Sequence, residues 1–556
     1  MTIPVTLPNL SRFLGAEQAS KKTPTMRLVH HLLEKAAVRF ADKTALICGA
    51  RQYSYREIDQ VATRLAAYLI ENGVKPQDRV VVYLENSFES VVSIFGVLKA
   101  GGIFVLLNPE IKAKKLNYVL DDTGAHTLIT AQYKHNIIAD ALTQNLPIQH
   151  LIWIDQVEGD VCGTNSLVKQ SGWKASTTMP ENAQLQSVKV IDIDLAALIY
   201  TSGSSGLPKG VMCAHYNMMA AVQSINGFLN NSSADIILNV LPLSFDYGLY
   251  QILLAFHAGA TVVLEKSFSY SYDLVKLIHS KKITGFPIVP TLAAILCKME
   301  KMDKIKFENL RYITNTGDTL SVALIHKLSK LFPETQLYSM YGLTECKRVS
   351  YLPPEFLKQK PTSVGIPIPN TDVFVADELG RPLEPGVVGE LVVRGSHVMQ
   401  GYWRLPEETQ STFRNGATRT DALLYTGDWF KRDQEGFLYF VGRKNDILKH
   451  KGQRVSPREI ESAINTMKGV VNSAVIGIPD DIKGQRIVAF VQIEDDTEIT
   501  NESISRHCQE HLEDFLVPHQ VLFIEDLPIS GNGKVDKQRL MRDHKPTEHN
   551  QVKQTI

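Results

Sequence analysis

At 556 residues the chain exceeds what one hydrophobic core holds, so two or more domains are expected. Its composition is that of an ordinary globular protein, 44% hydrophobic and 21% charged, and Lys plus Arg equal Asp plus Glu at 59 each, so no net charge draws it to nucleic acid or acidic membranes. The six cysteines (Cys48, Cys162, Cys213, Cys297, Cys346, Cys508) form no C-x-x-C pair and no His cluster accompanies them, which argues against metal or redox motifs and for reduced, buried thiols in the cytoplasm.

The first 25 residues contain Pro4 and Pro8 and no apolar h-region, and no run of 18 apolar residues occurs anywhere, so neither secretion nor membrane insertion is expected. From about 27 to 440, apolar runs alternate with helical patterns, beginning with DRVVVYLEN, FESVVSIFGVLKAGG and IFVLLNP. This alternation predicts an α/β architecture with mostly parallel sheets. Residues 141–190 are polar and irregular and read as a surface excursion. Then come DLAALIY (194–200) as a buried strand, a helix from Tyr216 to Leu229, and strands within 234–243, 260–266, 283–290 and 310–318. VGELVVRG and GFLYFVGR read as closing β-strands.

A boundary near 445 divides the chain into an N-terminal core domain, 1–444, and a small α+β C-terminal lid domain, 445–556. The latter opens on SPREIESAI, where Ser456 as N-cap, Pro457 at N1 and Glu459 at N3 predict a capping box. Strands NSAVIGIP and RIVAFVQIE, a helix near 502–514 and the strand HQVLFIEDLP follow, and the tail from Asp543 is charged and polar.

Between a predicted strand and a predicted helix lies YTSGSSGLPKGVM, 200–212. Small Gly and Ser residues let backbone N–H groups, hydroxyls and the Lys209 ammonium converge on a polyphosphate. The loop is not a Walker A loop, because Lys209 stands between Pro208 and Gly210 with no following Ser or Thr. A solvated Ser/Gly linker is the alternative, disfavoured by its place between core elements.

Four further segments follow in order: YGLTE (341–345), YTGDW (425–429), GRKNDILKHKG (442–452) and ISGNGKVDK (529–537). Together with the loop they resemble the adenylate-forming superfamily of acyl-CoA synthetases, peptide-synthetase adenylation domains and luciferases over roughly residues 30–542. The resemblance implies ATP and Mg²⁺ as cofactors. It places Thr201, Ser202 and Lys209 at the β- and γ-phosphates, Tyr341 against the adenine and Thr344 at the α-phosphate, with Gly203, Ser204, Ser205, Gly317, Asp318 and Gly342 also binding the nucleotide. Glu345 would ligate Mg²⁺, Asp428 would accept the ribose hydroxyls beside Arg443, and Lys534 would bridge the substrate carboxylate and the α-phosphate. Cations are needed there because an anionic carboxylate must approach an anionic phosphate. The family's acidic hinge residue is replaced by Asn445, followed by Asp446.

For the substrate, LPLSFDYGLYQ (241–251) places Asp246 where amino-acid adenylation domains pair with an α-ammonium, and a buried carboxylate needs such a cation. Alternatively, Asp246 caps the helix from Tyr247 to His257. The remaining lining is Tyr247, Tyr250, Pro287, Thr314, Thr316, Met340, Arg348 and Val349, a crowded set that predicts glycine or another very small amino acid. Pairing of Arg348 or Lys347 with an acidic side chain makes aspartate or glutamate second choices, and both cations could instead be surface charges. The expected reaction is formation of aminoacyl-AMP with release of pyrophosphate, then transfer to the phosphopantetheine thiol of a separate carrier protein. Lid rotation would withdraw Lys534 and bring Lys449 to Gly452 to the thiol path. This pattern resembles the glycine-activating ligases of bacterial lipid A modification, which serves antimicrobial peptide resistance. An acyl- or aryl-CoA ligase acting on an acid without an amine is the alternative, and a nucleotide-binding scaffold without activity is a third possibility.

Overall fold

The structure is a computed structural model that describes residues 26–544 except 143–145, 156–167, 179–187, 202–207, 267–270, 300–304, 417, 419–420, 445–447, 451–452, 481–483, 495–496 and 530–534. Valine-rich runs such as Arg79–Tyr83 form strands that bury both faces, as parallel sheets require. That strand lies between Ile103–Leu106 and Thr127–Thr130, parallel to both, in a seven-stranded sheet. Its residues alternate between cores. Val80 and Val82 enter the large core shared with a nine-stranded sheet, while Val81 and Tyr83 enter a separate cluster beneath the helix Ala113–Thr123.

The large core includes residues from both sheets and from the helices Tyr55–Glu71, Phe88–Lys99, His215–Leu229 and Asp246–Ala258. Phe88–Lys99 is apolar on nearly every side and buried along most of its length, and its entry is fixed by a Ser87/Ser90 capping box. The centre of the nine-stranded sheet is parallel: Thr261–Leu264, Ile236–Asn239, Gly285–Ile288, Tyr312–Asn315 and Gln336–Tyr341. An antiparallel sheet containing Gly389–Gly395, Ala422–Arg432 and Leu438–Arg443 follows. The expected large α/β domain with a smaller α+β unit is therefore present. The smaller unit's five-stranded sheet, between Leu448 and Phe523, has its own hydrophobic clusters.

Two expectations are corrected. The stretch 141–190 is more than a surface excursion, since His150–Trp153 and Lys169–Gly172 extend the seven-stranded sheet and Trp153 is fully buried. At the helix Pro457–Ile464, Ser456 is the N-cap and Pro457 is N1, but no side-chain cap bond forms. The Ser456 hydroxyl donates instead to the Val441 carbonyl, linking the smaller unit to the strand that precedes it. Five cysteines are free and half-buried or buried, as expected for reduced thiols, and Cys162 lies outside the described residues.

Candidate active site at the carboxyl ends of the parallel strands

Open α/β sheets place ligand groups just beyond the carboxyl ends of their strands. Here Asp246 follows Ile236–Asn239, Thr316 to Asp318 follow Tyr312–Asn315, and Gly342 to Glu345 follow Gln336–Tyr341. Gly317, at φ +90°, supplies the left-handed turn that brings Asp318 back toward its strand, where the Asn315 side-chain amide donates to the Asp318 carbonyl at 3.0 Å.

Strands Leu195–Thr201 and Lys209–Ala214 form an antiparallel hairpin in which Thr201 directly faces Lys209. The proposed triphosphate loop thus begins and ends on one rung of a ladder. Ser202, Gly203, Ser204 and Ser205 lie outside the described residues. Against the hairpin's outer strand runs the segment Gln400–Trp403, held by the Met212 N–H to the Gly401 carbonyl (2.8 Å) and the Trp403 N–H to the Gly210 carbonyl (2.7 Å). This segment presents Tyr402. Its hydroxyl donates to Glu345 Oε1 at 2.7 Å, and Lys209 Nζ lies 5.3 Å from its ring centre. Tyr402 therefore joins this hairpin to the YGLTE turn. Burial raises the Glu345 carboxyl above the usual range, opposed by the Tyr402 hydrogen bond and reinforced by the Asp246 charge. Among the described residues no cation forms an ion pair with Glu345, whose Oε1 accepts from Tyr402. Thr344, beside it, is half-buried.

A second group assembles from distant segments. The Tyr341 hydroxyl donates to Asp428 Oδ2 at 2.7 Å, and its ring packs against Phe430 with centres 4.8 Å apart. Asp428 is 4% exposed and faces Arg443 across the strand pair, with Arg443 Nε 3.6 Å from Asp428 Oδ1. Beyond Asp428, the Asp318 carboxylate and Thr319 hydroxyl accept from Arg458, at the start of the helix Pro457–Ile464. The Arg458 guanidinium lies 4.5 Å from the Phe440 ring centre, so this side chain of the smaller unit meets both Asp318 and the strand Leu438–Arg443.

The expected acyl pocket residues are all buried. Pro287 and Thr314 pair across adjacent strands, and Tyr247 donates its hydroxyl to the Thr314 carbonyl at 2.8 Å. Tyr250, Thr316, Met340 and Val349 are 5% exposed or less. Asp246 occupies the first turn of Asp246–Ala258, with Phe245 as N-cap, so the helix-capping alternative for Asp246 does not hold. Nor does Asp246 lack a cation from the chain itself: Lys347 Nζ stands 3.3 Å from its Oδ2, both side chains buried. The idea that both cations lie on the surface is likewise corrected, since Lys347 and Arg348 are each 2% exposed.

Local backbone geometry explains this burial. Lys347 has φ +63°, and the Arg348 N–H donates to the Cys346 carbonyl two residues back at 2.7 Å, a tight γ-turn that L-residues adopt at a cost in strain. A Cβ on Gly342 would lie 2.3 Å from the Lys347 carbonyl oxygen, so the returning chain requires glycine there. The turn directs two consecutive cationic side chains inward. Burial lowers the Lys347 ammonium from 10.5 to about 7, against the favourable charge of Asp246. Because the folded value lies below the unfolded one, the unfolded chain holds the extra proton between pH 7 and 10.5, and stability contributed through Lys347 rises with pH across that window. Chemical denaturation at pH 7, 8 and 9 should show this rise in the wild-type protein and a smaller one in Lys347→Met. Equal slopes would contradict it.

Tyr402 and Arg458 gave no sequence signal as site residues, and Lys347 as the partner of Asp246 gave none either. Asn445 and Lys534 lie outside the described residues, as do Lys451 and Gly452 of the basic turn, while Lys449 is described only as part of the strand Leu448–His450.

The sequence profile described as AMP-binding enzyme matches residues 33–403, and that of the AMP-binding enzyme C-terminal domain matches 459–534. The chain belongs to the AMP-binding enzyme family. It is 30% identical to a long-chain-fatty-acid–CoA ligase of Bacillus subtilis, covering 94% of this chain and 96% of that protein. It is 29% identical to gramicidin S synthase 2 of Brevibacillus brevis over 93% of this chain but only 11% of that protein. Among solved structures it is similar to ATP-bound MatB from Rhodopseudomonas palustris, with TM-score 0.82 and 26% identity, covering 93% of this chain and 99% of that one. This AMP-binding enzyme is thus an ATP-dependent, adenylate-forming ligase. No helix among its described residues is long and apolar enough to cross a membrane.

Proposed function

We propose that this AMP-binding enzyme activates a carboxylic acid lacking an α-amine and transfers the acyl group to the thiol of coenzyme A. The observation that carries this reading is the ion pair at Asp246: Lys347 occupies the place that a substrate ammonium would need. The similarity to a fatty-acid–CoA ligase over nearly the whole of both chains points the same way. Glycine activation and transfer to a carrier protein, with its link to lipid A modification, would require the substrate ammonium to displace a buried lysine already paired. Breaking a buried pair is costly.

In the first half-reaction the acid's carboxylate oxygen attacks the α-phosphorus of ATP and pyrophosphate leaves; in the second, a thiolate attacks the acyl carbon and AMP leaves. Lys209, with Thr201 and the residues between them, would hold the β- and γ-phosphates. Tyr341 and Gly342, with Gly317 and Asp318, would line the adenine site, and Asp428 with Arg443 would fix the ribose. Glu345 would hold Mg²⁺, which when bound offsets triphosphate charge, and Thr344 would orient the α-phosphate. Lys534 would neutralise charge as the carboxylate approaches. The smaller unit, 445–556, would carry Lys534 away about Asn445 before thiolation.

ATP–pyrophosphate exchange with glycine, the other amino acids, acetate, benzoate and a fatty acid, followed by thioester formation with coenzyme A or a phosphopantetheinylated carrier, tests the reading. Exchange with acids lacking an amine and acyl-CoA formation are expected. Exchange confined to glycine would overturn it.

A further inference from the structure

Buried charge in the acyl pocket is unbalanced. One carboxylate, Asp246, faces two cations, Lys347 and Arg348. The next carboxylate, Glu345, bonds to Tyr402 on the phosphate side. Arg348 places its guanidinium 5.2 Å from the Tyr247 ring centre, and its buried Nε has no hydrogen-bond partner. Among the described residues no acceptor reaches the guanidinium at all. Lys347 Nζ is paired with Asp246 alone and keeps donors to spare, and the buried Tyr250 hydroxyl, whose ring centre is 4.5 Å from that ammonium, is unpartnered. Arg348 and Tyr250 thus lack the partners that buried polar groups normally find, beside a Lys347 ammonium with donors to spare.

Chains do not gain stability by burying such a set, since apolar residues of similar volume serve a core as well or better. The strained turn at Lys347, which aims both cations inward, adds a further cost. An anion delivered by a ligand would satisfy all of these groups together. We propose that the acid activated by this enzyme carries a second carboxylate, and that Arg348 receives this non-reacting group, with Lys347 and the Tyr250 hydroxyl beside it. A guanidinium fork matches a carboxylate in bidentate fashion, which explains arginine rather than a second lysine. A short acid is expected, because Tyr247 and Tyr250 are fully buried beside the two cations and Tyr247 is tethered to Thr314. The inference rests on the proposed activation of a carboxylic acid and narrows it to short dicarboxylates.

The test is ATP–pyrophosphate exchange by the full-length enzyme with malonate, succinate and glutarate, against propionate, butyrate and valerate, with glycine, aspartate and glutamate as a third arm. The dicarboxylates are expected to exceed the matched monocarboxylates in kcat/KM by about 10- to 100-fold, the range for a hydrogen-bonded charged contact. Arg348→Met should abolish that preference, chiefly through KM, and Arg348→Lys should restore part of it. Preference for monocarboxylates would overturn the inference while leaving the carboxylic-acid reading intact. Exchange with aspartate or glutamate alone would keep the second-anion site and overturn the absence of an amine, whereas exchange with glycine alone would overturn both. The wild-type comparison stands even if an Arg348 variant fails to fold, and a dicarboxylate preference unchanged in a folded Arg348→Met enzyme would remove Arg348 from the site.

Discussion

Glu345→Gln is expected to slow acyl-adenylate formation by about 10²- to 10³-fold, the loss typical of one preorganised electrostatic contact to a developing charge, while the protein stays folded. Glutamine keeps an oxygen that can accept the Tyr402 hydroxyl, now 2.7 Å from Glu345 Oε1, so the link between hairpin and turn survives. What is lost is the negative charge available to a metal ion. Stability should move the other way. The folded carboxyl titrates above its ordinary value because it is buried, so its favourable contribution is complete at low pH and is lost as pH rises through the folded value. Gln keeps the hydrogen bond from Tyr402 without a carboxyl whose ionisation burial opposes, so the variant should melt no lower than wild type. Pyrophosphate exchange over a Mg²⁺ titration and a thermal melt at pH 7.5 provide the measurements. Undiminished exchange would rule out a catalytic charge at Glu345.

Asp428→Ala should raise the KM for ATP by about 10- to 100-fold, the worth of a hydrogen-bonded carboxylate. The same change strips the acceptor from the buried Tyr341 hydroxyl, which costs about 1–3 kcal/mol of folding stability. Asp428→Asn separates the two effects, because the amide oxygen can still accept from Tyr341 while the charge facing Arg443 disappears. A KM raised in both variants, with stability lowered mainly in Ala, is the expected pattern, read by exchange kinetics and denaturant melts. If ATP binds equally well to both, Asp428 is structural and the ribose assignment falls.

Much of this architecture is legible in the sequence because its signals are local. Runs such as RVVVY and TVVL are short, apolar and rich in β-branched residues, the mark of strands buried on both faces. Pairing across the chain is harder to see. Tyr402 meets Glu345 across 57 residues while sitting in an isolated bridge with Val211, and GYW has no periodicity that signals either contact. Consecutive residues ordinarily diverge, so no pattern predicts Lys347 and Arg348 entering one pocket; only the positive φ at Lys347 permits it. Ser456 illustrates the reverse. Its neighbours spell a capping box, yet a nearby carbonyl of the preceding strand competes for the hydroxyl and wins.

Where the chain leaves the antiparallel sheet, Lys444 is fastened twice, by its N–H to the Gly427 carbonyl at 2.8 Å and by its ammonium to Glu390 at 3.1 Å. Gly427 directly precedes Asp428, so the mooring point of the smaller unit and the candidate ribose anchor belong to the same rigid ladder. Any swing of that unit must be absorbed downstream of Lys444, and its first casualty is the clasp between Arg458 and Asp318. A nucleotide seated against Asp428 would stay with that ladder in any such swing, because its anchor lies upstream of Lys444.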